Sequence, residues 1–176
     1  MSNSLFDRMV RGPVRDVLVP GYIDRDREHP LFKPFPVSVF LELEDGFVEL
    51  ATVQDEGRMT VEFVTEPGIP EALLDDEDEF CFDSRGLDVL TDAHDSLRVT
   101  RIRGVLPGAS VSVAGDPGTE YECLEFRFED GGCLFADPGY PLGIRLGGEG
   151  AYDRLMELNA GRPTGPEPGR PFVWAP

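Results

Sequence analysis

Lysine is almost missing from this chain. Of 16 basic residues only Lys33 is lysine, and they face 34 acidic residues for a net charge of −18. A surface this negative opposes binding to nucleic-acid phosphates and to anionic membranes, so a basic protein is the macromolecular partner that charge allows. A GC-rich genome or adaptation to high salt would give the same imbalance with no target at all, since an acidic face can serve only solvation. Cysteine is scarce too. Cys81, Cys123 and Cys133 form an odd set without a CxxC pair, which excludes a disulfide framework and points to reduced thiols. His29 and His94 are the only histidines, and nothing has the paired spacing of a tetrahedral zinc site. Long apolar runs are lacking: no stretch approaches the roughly 20 residues of a membrane helix, and Met1 to Val19 carries charges where a signal peptide would be apolar. The expectation is a cytoplasmic protein with neither metal nor cofactor.

What is there fits an ordinary globular chain. At 176 residues, with 40% hydrophobic and 28% charged residues, one core is the economical arrangement. The sequence divides into a single domain over 1–161 and a Pro-rich C-terminal tail over 162–176. Prolines 163, 166, 168, 171 and 176 argue against regular structure in that tail, which stays flexible unless Phe172 and Trp174 dock onto the body.

Strand signals dominate the domain. Val37, Val39, Leu41 and Leu43 alternate with Ser38, Phe40 and Glu42. Glu44-Asp45-Gly46 then turns the chain into Phe47–Val53, and Met59–Val64 completes an antiparallel meander. A second hairpin runs from Cys123–Phe128 through Asp130-Gly131-Gly132 into Cys133–Ala136. Leu97–Val105, Ala109–Ala114 and Ile144–Leu146 are further candidate strands. The two hairpins share an Asp-Gly turn, which common turn chemistry explains better than a duplication. Helix signals are shorter. Ser4 followed by Asp7 is a capping box for a helix to about Arg11, and Tyr152, Leu155 and Met156 form one stripe over Ala151–Asn159. Ile69–Leu74 and Gly86–His94 could make short helices, and Gly12 to Pro36 reads as irregular surface chain. The fold class expected is α+β: an antiparallel β-sheet of about six to eight strands, open to partial closure as a barrel or sandwich, with two to four short helices.

Between 66 and 95, eleven acidic residues face Arg85 alone, a local balance of −10. Its centre is the run Asp75, Asp76, Glu77, Asp78 and Glu79. Adjacent carboxylates lack the spacing of a calcium loop, but they suit pairing with arginines and lysines of a basic surface. Other candidates carry less. Gly147-Gly148-Glu149-Gly150 precedes a helix but lacks the Lys-Ser/Thr pair of a phosphate loop, and Glu149 would repel the phosphate. Ser84 or Cys81 with His94 and Asp92 or Asp95 has the residue types of a nucleophilic triad without a recognisable elbow. Arg98, Arg101 and Arg103 cluster on one candidate strand, where pairing with the chain's own acids is favoured over a small-anion site.

No catalytic residue is assigned. The reading these features favour is an acidic protein-binding module acting on a basic partner, the class to which immunity proteins that neutralise bacterial toxins belong. An accessory domain with a generically acidic surface is the second expectation. A small-molecule-binding barrel or a carboxylate-based enzyme is the third.

Overall fold

Alternation along the strands puts apolar side chains on one face of each sheet, and two such faces bury against each other. The computed structural model describes residues 4–26, 28–53, 56–74, 79–89, 97–108, 110–139, 143–160 and 168–176. Among these, 13 strands form two antiparallel sheets with three short α-helices, an α+β fold. The strands are β1 (Pro13–Val14), β2 (Asp16–Asp24), β3 (Leu31–Pro34), β4 (Ser38–Leu43), β5 (Gly46–Val53), β6 (Arg58–Val64), β7 (Glu79–Ser84), β8 (Leu97–Leu106), β9 (Glu120–Tyr121), β10 (Cys123–Phe128), β11 (Cys133–Asp137), β12 (Arg145–Gly147) and β13 (Arg170–Trp174). The helices are α1 (Leu5–Arg11), α2 (Gly86–Val89) and α3 (Ala151–Ala160), and Glu71–Leu73 adds one 3-10 turn. No helix among the described residues is long and apolar enough to cross a membrane.

The seven-stranded sheet has the order β3-β2-β4-β5-β6-β9, with β7 on the other side of β2. The six-stranded sheet has the order β1-β8-β10-β11-β12, with β13 also on β8. Only Arg15 separates β1 from β2, and only Glu122 separates β9 from β10, yet each pair is split between the sheets. The chain thus stitches the sandwich into a half-closed barrel. Val39, Leu41, Val48, Leu50 and Val61 from one sheet meet Ile102, Leu124, Phe126 and Leu134 from the other in one core, each at most 1% exposed.

The helix start, the meander, the second hairpin and α3 stand where the sequence puts them. Asp7 N–H donates to Ser4 Oγ at 3.2 Å and Ser4 N–H donates to Asp7 Oδ2 at 3.3 Å, closing the capping box. The two Asp-Gly turns differ in build. Leu43 pairs with Gly46 across a two-residue loop, whereas Phe128 N–H donates to the Gly132 carbonyl at 2.9 Å around a wider one, as shared turn chemistry without duplication implies.

Four expectations are corrected. Gly12–Pro36 is not irregular: it contains β1, β2 and β3. Pro20 sits in the gap between the stretches of β2 that pair with β3 and β4, where only its carbonyl is used, by Phe35 N–H at 2.8 Å. Gly21 does not turn the chain; it lets β3 approach, since a Cβ there would lie 2.3 Å from the Lys33 carbonyl oxygen. The acidic segment holds a strand, β7, rather than helices alone, because Phe80 and Phe82 alternate with Cys81 and Asp83 against β2. Residues 110–114 form no strand, and Val111 and Val113 are 97% and 63% exposed: the period is there but no apolar surface receives it. Finally, Arg170–Trp174 forms β13 despite Pro171. Val105, opposite Pro171, turns its carbonyl to Glu122 N–H on the β10 side, so the missing proline N–H leaves no gap in the ladder. The strand count exceeds the expected six to eight because short pieces such as β1 and β9 fall below what periodicity can register.

Phe172 and Trp174 do dock. Phe6 of α1 stacks on Phe172 at 6.1 Å, meets Trp174 edge-on at 5.8 Å and lies 6.1 Å from Tyr121. Gly104 makes room for this, since a Cβ there would lie 3.0 Å from the Phe172 ring. The two chain ends are therefore held by one buried ring. Phe6→Ala is expected to lower stability by about 3–5 kcal/mol and to shift emission of the sole tryptophan, Trp174, to the red. Urea unfolding followed by that fluorescence checks it; an unchanged midpoint would show that the aromatic cluster does not hold the termini.

Candidate functional site

Residues paired directly across antiparallel strands share a face, so the register that fills the core also determines what the outer faces display. On the seven-stranded sheet, Leu50 and Val61 pair inward, and the next pair, Glu49 and Glu62, points outward. Phe40 pairs with Glu49 from the other side, and Glu42 with Phe47 one step along. Three adjacent strands therefore carry Glu42, Glu49 and Glu62 on one face, and no ion-pair partner for any of them is found among the described residues. Glu62 is exposed while Glu49 is half-buried. Burial, and then the Glu62 charge, push the Glu49 carboxyl above the usual glutamate range. Phe40, although on this face, is fully buried, and it meets Phe82 of β7 edge-on at 5.7 Å.

Beside this face, α1 and the β4–β5 turn enclose an open cleft of about 840 Å³, lined by Leu5, Leu43 and Phe63 together with Arg8, Glu44 and Glu62. Arg8 shows the chemistry available there. Its guanidinium lies 3.3 Å from the centre of the Phe63 ring and donates to Asp45 Oδ2 at 2.7 Å, a cation held between an aromatic face and a carboxylate.

The six-stranded sheet shows a different outer face. Arg103 donates through Nε and Nη2 to both oxygens of Glu125, at 2.7 and 3.0 Å, and through Nη1 and Nη2 to Asp153, at 2.9 and 3.1 Å. It also lies over Tyr152 of α3 at 4.1 Å. Glu125 is 1% exposed, so this fork replaces the water that the carboxylate has lost. The favoured internal pairing of the Arg98, Arg101 and Arg103 cluster thus holds for Arg103, while the Arg98 guanidinium donates to the Arg11 carbonyl at 3.3 Å. Cys123 beneath α3 is buried, and its thiol is pushed up to about 12, mainly by desolvation, which makes it a packing residue.

Of the acidic run, Asp75, Asp76, Glu77 and Asp78 lie outside the described residues. Glu79 opens β7, and its carboxylate is engaged by Arg25. The triad candidates are divided: Ser84 Oγ donates to Asp16, at 2.7 Å to Oδ2, while Asp92, His94 and Asp95 lie outside the described residues. Cys81, Cys123 and Cys133 are free thiols, and Cys81 is in the other sheet from the remaining two. Gly148–Gly150 leads from β12 into α3, and with Ile144, Leu146 and Arg85 this segment borders a cleft of about 570 Å³. Glu42, Glu49 and Glu62 are scattered in sequence and become neighbours only through register. The signal for them is the turns: counting outward from the β5–β6 connection, where Val53 meets Arg58, brings Glu49 opposite Glu62.

No family model matches the chain, and neither a curated protein nor a solved structure matches it.

Two outcomes follow from these electrostatics. Glu49 has its folded pKa raised, so its penalty is full above that raised value and absent below the unfolded one, near about 4.3. Glu49→Gln is therefore expected to be more stable than wild type at neutral pH, with the advantage vanishing as pH falls to about 4. Urea midpoints of both proteins across that range check it, and a pH-independent difference would contradict the shift. Glu125→Ala is expected to cost about 3 kcal/mol because it strips Arg103 of its buried partner, whereas Asp153→Ala moves the midpoint far less. Equal midpoints for the two variants would contradict the assignment.

Proposed function

We propose that this protein is a binding module that docks on a basic protein, in the manner of an inhibitor or immunity protein that covers its target. The docking surface is the outer face of the meander, with Glu42, Glu49 and Glu62, continued into the cleft beside α1. One observation carries the proposal: Glu49 and Glu62 are directly opposed on a sheet face, with no ion-pair partner for either among the described residues. Like charges in that position destabilise a sheet, and arginine or lysine side chains from a partner would convert the repulsion into attraction. The way Arg8 is held between Phe63 and Asp45 supports this, because it shows the cleft already accommodating a guanidinium. The net charge of −18 adds long-range attraction for a basic surface and speeds encounter.

The test is affinity capture from the native lysate with wild type and with the double variant Glu49→Gln/Glu62→Gln. The expected result is a basic protein retained by wild type at low salt, released as ionic strength rises, and lost from the double variant at every salt concentration. Capture of the same protein by the double variant, undiminished, would contradict this docking surface. Charge reversal across Asp75–Glu79 is the companion arm: loss of capture in that variant alone would move the contact to the acidic run.

A further inference from the structure

The outer face of the six-stranded sheet carries a second pair of like charges directly opposed, of the other sign. Arg101 of β8 and Arg127 of β10 are partners across the ladder. A bulge places Arg101 there. The register jumps from Arg127–Arg101 to Phe128–Val99, so both Thr100 and Arg101 are set against Arg127, and Thr100 Oγ1 donates to the Arg127 carbonyl at 3.2 Å. In a regular strand, residues 99 and 102 would point to opposite faces; here Val99 and Ile102 are both buried, and the residues between them are both exposed. Bulges re-aim side chains in this way.

The counter-charges at this spot are already committed. Glu125 and Asp153 each give both oxygens to Arg103. Arg127 comes only within 3.6 Å of Glu125 Oε1. Arg101 has no ion-pair partner among the described residues. Across the strands Cys133 faces Arg127 and Val173 faces Arg103, so neither neighbouring strand brings a further carboxylate to those positions. Among the described residues, the ion pairs of Arg103 and Arg127 thus go to two carboxylates, Glu125 and Asp153, and Arg101 has none, in a chain that elsewhere has acids to spare.

We propose that Arg101 and Arg127 form a binding site for a phosphate group. Two adjacent guanidinium forks match the oxygens of a tetrahedral phosphate, each able to donate two parallel N–H bonds, and a bound dianion removes the repulsion that the bare pair carries. Asp153 is the internal competitor. The Arg103 hydrogen bond, and after it the charges of Arg103, Arg127 and Arg101, hold its carboxyl below the usual aspartate range, so its negative charge stands within reach of the pair and opposes an incoming anion. The site lies on the opposite side of the sandwich from the acidic docking face and does not depend on it.

The test is an NMR titration of the full chain, observing arginine Nε–H signals, with inorganic phosphate and separately with phosphoserine at low ionic strength. Saturable shifts confined to Arg101, Arg127 and Arg103 are expected, with affinity reduced at least about tenfold in Arg101→Gln and in Arg127→Gln and unchanged in Arg25→Gln on the other sheet. Asp153→Asn is expected to bind several-fold more tightly. Stronger binding of phosphoserine assigns the group to an ester, and stronger binding of phosphate assigns it to the free ion. Absence of saturation with both probes, or equal weakening in Arg25→Gln, overturns the site. Both arginine variants relieve repulsion and are expected to fold; if circular dichroism shows otherwise, a failure of Asp153→Asn to tighten binding overturns the proposal independently.

Discussion

Register is the constraint from which the rest of this structure follows. A strand shifted by one residue would turn its whole buried set to solvent, so the pairing that puts Leu50 against Val61, or Leu124 against Ala136, is held by the core itself. The same pairing leaves no choice about the outer faces. Glu49 meets Glu62 because Leu50 and Val61 beside them are inside, and Arg101 meets Arg127 because the bulge keeps both Val99 and Ile102 inside. Neither repulsion can relax by slippage; only a change of residue, a proton or a bound counter-charge can relieve it.

The two sheets therefore present outer faces of opposite character on a molecule that is strongly acidic as a whole. On one, Glu42, Glu49 and Glu62 lie across neighbouring strands with no ion-pair partner among the described residues, and the nearest cation along β6, Arg58, is paired with Glu120. On the other, arginines gather around Glu125 and Asp153, under the edge of α3, whose Tyr152 completes the Arg103 site. A net charge distributed only for solubility needs no such separation, and it would place the scarce cations beside the surplus acids. Arg8, Arg25, Arg58 and Arg85 are used in that way, each beside an exposed or half-exposed acid. Among the described residues Arg101 is not, and neither are Glu42, Glu49 and Glu62, and these exceptions carry the functional argument.

Much of the fold is legible in the sequence wherever a signal is local. The capping box at Ser4, the two Asp-Gly hairpins and the apolar stripe of α3 each rest on a few neighbouring residues. What escapes a local reading depends on partners remote in the chain. Gly12–Pro36 looks like irregular chain until β3 is seen to need the space over Gly21, and Pro171 looks like a strand breaker until Val105 is seen to face the other way. Strand β7 is hidden by the acids around Phe80 and Phe82. The functional surfaces divide likewise: Asp75–Glu79 stands out by composition, whereas the opposed glutamates and arginines exist only once strands are paired. The excess of acid is visible in the sequence, and its placement is a property of the register.

The central claim is that Glu49 and Glu62 repel each other in the folded protein and are kept in place by the register. A double-mutant cycle with Glu49→Gln, Glu62→Gln and the double variant, measured by urea unfolding at low and at high salt, tests it most directly. The account predicts an unfavourable coupling between the two carboxylates of about 0.2–1 kcal/mol at low salt, shrinking as salt screens it. A coupling of zero, or a favourable one, at low salt would contradict it.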